Sequence, residues 1–238
     1  MADLTILIAA LFPAIALWVY VWQQDKKKEP TPLLVKAVLY GIGIAFPVSL
    51  FEFAVNSLLF GVNGGPTSLI GTTLEAFFVA ALPEEGFKLL ALWLILRNNP
   101  YYDEHFDGIV YAVSIGIGFA ALENVTYLYS NIEQWQSVAI SRALLAVPGH
   151  YAFGVLMGYY YSLYHFVDRS PRVRILILLI PVLAHGVYDA LALSGMVNPY
   201  VGSVCFIVLI FFCIKMHKFA HKKVIAQIQR DRDHSFTS

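Results

Sequence analysis

Seven apolar stretches, at about residues 4–22, 33–60, 69–96, 107–129, 138–164, 173–194 and 198–214, dominate the chain. Each approaches or exceeds the ~20 residues that a helix needs to cross ~30 Å of hydrocarbon. Lipid offers no partner to a bare peptide group, so such stretches have to satisfy their backbone internally, as helices packed into a bundle. The expected fold is therefore all-α, a polytopic transmembrane bundle of about seven spans. Composition agrees: 58% of the 238 residues are hydrophobic and 13% charged, against about 25% charged in soluble domains.

Basic residues set the expected orientation. Lys26 to Lys28, Arg97, Arg169, Arg172, Arg174 and the tail from Lys215 occupy alternate connections, while 61–68, 130–137 and 195–197 hold no Lys or Arg. The positive-inside rule then puts the N-terminus outside and the C-terminus in the cytoplasm. The first span lacks a basic n-region and a small-residue cleavage motif, so it is read as retained rather than as a signal peptide. One membrane domain, 1–238, is expected, with a basic cytoplasmic tail at 215–238 whose Met216, Phe219, Ile225 and Ile228 suit a short amphipathic helix. Zero net charge gives no reason to expect nucleic acid as a partner. Cys205 and Cys213 have neither disulfide nor metal spacing, and the oligomeric state is left open.

Ionisable residues inside these spans are the pointers to function, since each costs roughly 2.5 to 3.5 kcal/mol near mid-bilayer on the insertion scale. Glu84 and Glu85 fall near the middle of the third span, His150 near the middle of the fifth and His185 near the middle of the sixth; Glu123 and Asp189 come about one turn nearer the outer face. Four helices thus offer polar groups at similar depth, which a bundle can gather around one wet cavity. Lys88 follows the doublet by four and three residues, so it can pair with either carboxylate. His185 and Asp189 are also four apart, which lets the carboxylate orient the imidazole. Pro83 lacks an amide donor and is expected to bend its helix. Gly154 and Gly158 form a GxxxG that is expected to seat a neighbouring helix.

Amide hydrolysis needs an activated water, a base and stabilisation of an oxyanion. Glutamate and histidine supply these directly or by holding a metal. HExxH, GxSxG and GxGD are absent, although Tyr188-Asp189 matches half of an aspartyl intramembrane pattern. A proton-coupled transporter using the same buried relay is the alternative, and a non-catalytic scaffold is a third reading.

The set Pro83-Glu84-Glu85-Gly86-Phe87-Lys88, Asp107-Gly108, Phe119-Ala120-Ala121-Leu122-Glu123-Asn124, Pro148-Gly149-His150 and His185-Gly186-Val187-Tyr188-Asp189 resembles the PrsW-like intramembrane proteases, a branch of the superfamily with the type II CAAX prenyl endopeptidases. The resemblance covers roughly residues 80–190. It implies an endopeptidase in a prokaryotic cell membrane, acting on membrane-embedded or membrane-adjacent polypeptides, in some relatives an anti-sigma factor during regulated proteolysis. It also implies Glu84 as the water-activating base, with Glu85 as support or alternative. Where the CAAX branch has FxxxH, this chain has Glu123. A Zn2+ site of Glu123, His150 and His185 is therefore one expectation, and a metal-free site in which His185 and Asp189 stabilise the oxyanion is the other. Lys88, Phe119 and Asn124 are supporting positions, Asn124 as a helix-to-helix hydrogen bond. Glu52, Glu75 and Arg142 are expected to be structural or entrance residues, and His105, His165, His217, His221 and His234 loop or interface residues.

Overall fold

The computed structural model describes residues 2–235, and the side chain of His234 lies outside what is described. Its elements are α1 (Ala2–Gln24), α2 (Thr31–Phe60), α3 (Leu69–Leu74), α4 (Leu82–Leu96), α5 (Asp107–Ser130), α6 (Trp135–Ser141), α7 (Val147–Phe166), α8 (Pro171–Val197) and α9 (Pro199–Ser235), with no strand among the described residues. A π-helical stretch, Glu75–Ala81, joins α3 to α4, and a second, Arg142–Ala146, joins α6 to α7. These pieces stack into seven rods that match the seven expected spans. Among the described residues, six helical runs are long and apolar enough to cross a membrane, one of them the composite of α6, π stretch and α7; the seventh rod, α3 with its π stretch and α4, is set apart by the charges it carries, Glu75, Glu84, Glu85 and Lys88.

Both π stretches have the same cause. Pro83 and Pro148 each stand at the second residue of the helix that follows. A proline there has no N–H to donate, and its ring crowds the carbonyl four residues back. The preceding turn widens, and the amide just ahead of the proline bonds five residues back: Leu82 N–H to the Phe77 carbonyl, Val147 N–H to the Arg142 carbonyl. Such wide turns are frequent at functional sites. Elsewhere the ends follow ordinary capping chemistry. Ser68 and Ser170 accept from the amides of Gly71 and Val173 at 3.1 and 3.4 Å, and Gly61, with φ of 84°, closes α2.

α5 is the axle. Its apolar window is 78% buried, against 22%, 28% and 17% for α1, α2 and α9, because α1, α2, α4 and α7 pack around it. Glycines let the backbones touch: a Cβ on Gly41 of α2 would lie 2.0 Å from the Ile115 carbonyl oxygen, and one on Gly158 of α7 would lie 2.3 Å from that of Gly108. The GxxxG of α7 therefore seats α5, as expected. On α1, Trp18 donates to Ser114 at 2.9 Å, and the Ala10 carbonyl accepts from Asn124 at 2.9 Å.

The last rod does not stop near 214. α9 continues to Ser235 because one face of the basic segment finds partners: Met216, Ala220, Val224 and Gln227 are buried, Gln227 donates to the Tyr159 carbonyl at 3.3 Å, and a ring nitrogen of His217 meets the Pro148 carbonyl at 3.0 Å. Farther on, Asp231 accepts from the amides of His105 and Phe106 at 2.6 and 2.9 Å, covering the start of α5. Phe219 and Ile225 stay exposed. The amphipathic pattern is thus used partly against the bundle itself.

Candidate active site

Four rods converge on one cavity of about 900 Å³, lined by Glu84, Glu123, His150, His185 and Asp189. All six candidate catalytic residues meet around it, with Glu85 one layer behind and wholly buried. A larger cleft of about 1170 Å³ between α4, α7 and α8 is mainly apolar and includes none of the six, so size alone misidentifies the chemical centre.

The doublet is held from one side by Lys88, whose Nζ donates to Glu84 at 2.9 Å and to Glu85 at 2.8 Å. The i,i+4 and i,i+3 spacing makes both contacts inside one helix. The ammonium also lies 3.2 Å from His150 Nδ1 and 4.4 Å from the centre of the Phe119 ring. Because Lys88 can only donate, Nδ1 accepts, and His150 Nε2–H donates to Glu123 at 2.8 Å. Glu123 therefore orients His150, in the manner of a carboxylate behind a working imidazole.

His185 is bound differently. Its Nδ1 lies 3.0 Å from Glu85 and its Nε2 3.2 Å from Asp189. Both nitrogens face carboxylate oxygens, an arrangement that suits a ring donating from both sides. Phe153 stacks on it, with ring centres 4.6 Å apart and 19° between planes. The expected His185–Asp189 pairing is present; the second nitrogen is directed to Glu85 rather than to open cavity.

Arg142 is the residue whose part in the site the sequence reading did not assign. It donates to Glu123 at 2.7 Å and to Asn124 at 2.6 Å, closing a chain from Asn124 through Arg142, Glu123 and His150 to Lys88 and the doublet. Asn124 spends its amide on α1, so it is the helix-to-helix bond expected of it and an acceptor for Arg142 as well. An arginine inside an apolar span demands an anion, and that demand was the available signal. Glu52 and Glu75 also line the cavity, and one Glu75 oxygen is buried without a hydrogen-bond partner.

The donor set closest to metal spacing is Glu84, Glu85 and His150, with one donor atom from each within 4.8 Å of the others; among the described residues, the expected Glu123, His150 and His185 do not meet that spacing. The reason is visible in the pairings: Glu123 lies behind His150, and His185 has committed both nitrogens. Two carboxylates and an imidazole whose Nδ1 carries no proton are chemically suited to a zinc-type ion. Lys88 Nζ lies at hydrogen-bond distance from all three donors, so an ion held there displaces the ammonium.

Comparisons with known proteins identify the family. The description "PrsW family intramembrane metalloprotease" matches residues 29–214. The chain is similar to "Protease PrsW" of Oceanobacillus iheyensis, 34% identical over 187 residues that cover 78% of this chain and 82% of the relative. It is similar to the protein of the same name in Bacillus subtilis, 33% identical over 188 residues covering 77% and 81%, and in Clostridioides difficile, 34% identical over 192 residues covering 78% of each. No solved structure gives a significant match. The transporter alternative is not favoured by these findings. The polar centre lies within a multi-pass bundle, and the matched region contains every residue of it; the chain belongs to the PrsW family of intramembrane metalloproteases and is a peptide-bond hydrolase.

Proposed function

We propose that Glu84 is the base of this protease and that its substrate is a membrane-tethered polypeptide, of the anti-sigma-factor class that the sequence resemblance implies. The observation that carries the first part is that Glu84 alone of the doublet lines the cavity, while Glu85 is fully buried against Lys88 and His185. A water beside Glu84 gives up its proton to the carboxylate as its oxygen bonds to the scissile carbonyl carbon. The resulting oxyanion is stabilised by Arg142, whose guanidinium keeps N–H groups beyond those it donates to Glu123 and Asn124. Collapse breaks the C–N bond, and the proton held by Glu84 passes to the departing amine. A bound metal would supply carbonyl polarisation and a more acidic water; Glu84, Glu85 and His150 are the side chains that would hold it.

The orientation belongs to the same reading: basic connections in the cytoplasm place the N-terminus outside, with the doublet near mid-membrane. A cavity at that depth favours a peptide delivered along the bilayer. In proteoliposomes, a single-span substrate should be cut at least ~10-fold faster than the same cleavage sequence free in solution, an effect of confinement. Equal cleavage of the free soluble segment would contradict the proposal.

The metal set makes a separate prediction. Metal analysis of purified protein should find the ion lost in Glu84→Gln and His150→Ala but retained in His185→Ala. The opposite pattern, loss with His185→Ala and retention with Glu84→Gln, would restore the set of Glu123, His150 and His185.

A further inference from the structure

A second polar cluster lies at the end of the bundle that carries Lys26 to Lys28, away from the cavity. Asp25 comes from the connection between α1 and α2, Glu104 from the connection before α5, and Asp107 from the first residue of α5. One oxygen from each lies within 4.8 Å of the others. Two oxygens on opposite sides of an ion bound at about 2.4 Å are separated by about that distance.

A group of acids by itself would prove little, since like charges at this spacing repel. What singles this one out is unmet bonding deep in the protein. Asp25 and Asp107 are 2% and 0% exposed, yet Oδ1 of each is buried without a hydrogen-bond partner. Their second oxygens are engaged by the chain: Asp25 Oδ2 accepts from the Glu29 amide at 3.2 Å, and Asp107 Oδ2 from the amides of Asp103 and Glu104 at 3.1 and 2.7 Å. Those contacts fix the carboxylates in place and leave Asp25 Oδ1 unserved; the Asp107 carboxyl also stands at hydrogen-bonding range of the Glu29 carboxyl, which can serve it only by holding a proton. The nearby lysines are directed elsewhere. Lys27 pairs with Asp103, and Lys28 donates to the carbonyls of Trp22 and Asp25.

We propose that Asp25, Glu104 and Asp107 bind a divalent cation of the Mg2+/Ca2+ class, which clamps the α1–α2 connection to the start of α5. Hard carboxylate oxygens without nitrogen or sulfur select that class over zinc. Glu29, which accepts from Tyr111, stands beside Asp107 and is a fourth carboxyl of the cluster. The clamp is independent of the catalytic cavity and of any metal held there.

The test uses the full-length protein in detergent after chelator treatment, titrated with Mn2+ as a paramagnetic stand-in and separately with Mg2+ and Ca2+. Saturable Mn2+ binding is expected in the parent and in Glu84→Gln, with competition by Mg2+ or Ca2+. In the Glu84→Gln background, where the cavity's own donor set is broken, Asp25→Asn should weaken it ~10-fold or more, as should Asp107→Asn if that variant folds. Absence of binding in the parent, equal binding with and without Asp25→Asn in that background, or loss with Glu84→Gln alone would each overturn the proposal. A rise in thermal midpoint of Asp25→Asn without cation, together with no Mn2+ binding in the parent, would identify the cluster as carboxyls sharing protons instead.

Discussion

Replacing Glu84 by Gln is expected to lower peptide cleavage by about 10²- to 10⁴-fold, the usual worth of a positioned base, while the protein still folds. Glutamine keeps the shape and an oxygen for Lys88 Nζ, 2.9 Å away, but cannot take a proton from water. Glu85→Gln should behave differently. Glu85 is 0% exposed and holds both Lys88 and His185, so neutralising it leaves the buried Lys88 ammonium with one anion fewer and takes the carboxylate from His185 Nδ1. Removing one partner of a buried pair costs about 3 to 5 kcal/mol. The expected signature is therefore a split: Glu84→Gln inactive with a nearly unchanged unfolding midpoint, Glu85→Gln impaired in both. Cleavage assays on a membrane-tethered substrate, run beside thermal unfolding of the same preparations, read both quantities. Full activity in Glu84→Gln would remove it from the role of base and pass that role to its neighbour.

The second large effect is on the fold. Gly41→Ala should destabilise the bundle by about 1 to 3 kcal/mol or more, the usual penalty for overpacking a tight interface. The added carbon would start 2.0 Å from the Ile115 carbonyl oxygen and 2.9 Å from the Phe119 nitrogen, and both are backbone atoms of α5 that cannot rotate away. α2 and α5 would have to separate along the crossing that also positions Phe119 and Glu123. Gly43→Ala is the control: it lies on the same helix, and nothing stands within 4 Å of its added carbon. That change should be neutral or stabilising by up to about 1 kcal/mol, from helix propensity alone. Denaturant titration in detergent separates the two, and equal midpoints would mean that the α2–α5 approach is not a constraint.

The spans and their number were legible because apolar length is a one-dimensional property. So were the bonds of Lys88 to the doublet and of His185 to Asp189, which depend on spacing within one helix. Partners across helices were not. Arg142 and Glu123 come from different rods, and whether they meet depends on how each rod is rotated. Arg142 stands in a π stretch, where the ordinary 3.6-residue phase no longer applies, so its facing was hidden from a periodic reading. The same holds for the donor set. His150 was expected beside Glu123 and His185 as a third ligand, but the direction of each ring nitrogen, which decides the set, is fixed by Lys88, Glu85 and Asp189 in space. The helical tail was expected, but not its fusion to the last span or its docked face: that face is made by Met216, Ala220, Val224 and Gln227 on the side toward α7, while Phe219 and Ile225 stay outside.

The paired wide turns ahead of Pro83 and Pro148 act as phase slips in the two rods that carry the doublet and His150. Each accommodates one more residue than a regular turn, which swings everything before it by about 100° relative to everything after it. A one-residue deletion within 75–81 that restored regular winding would wheel Leu69–Leu74 around the rod axis while Glu84 and Glu85 kept their bearing. The flanking half of the first rod can thus be re-tailored to a different lipid surface or substrate approach while the doublet keeps its bearing, whereas in the second rod Arg142 ties the wide turn itself to Glu123.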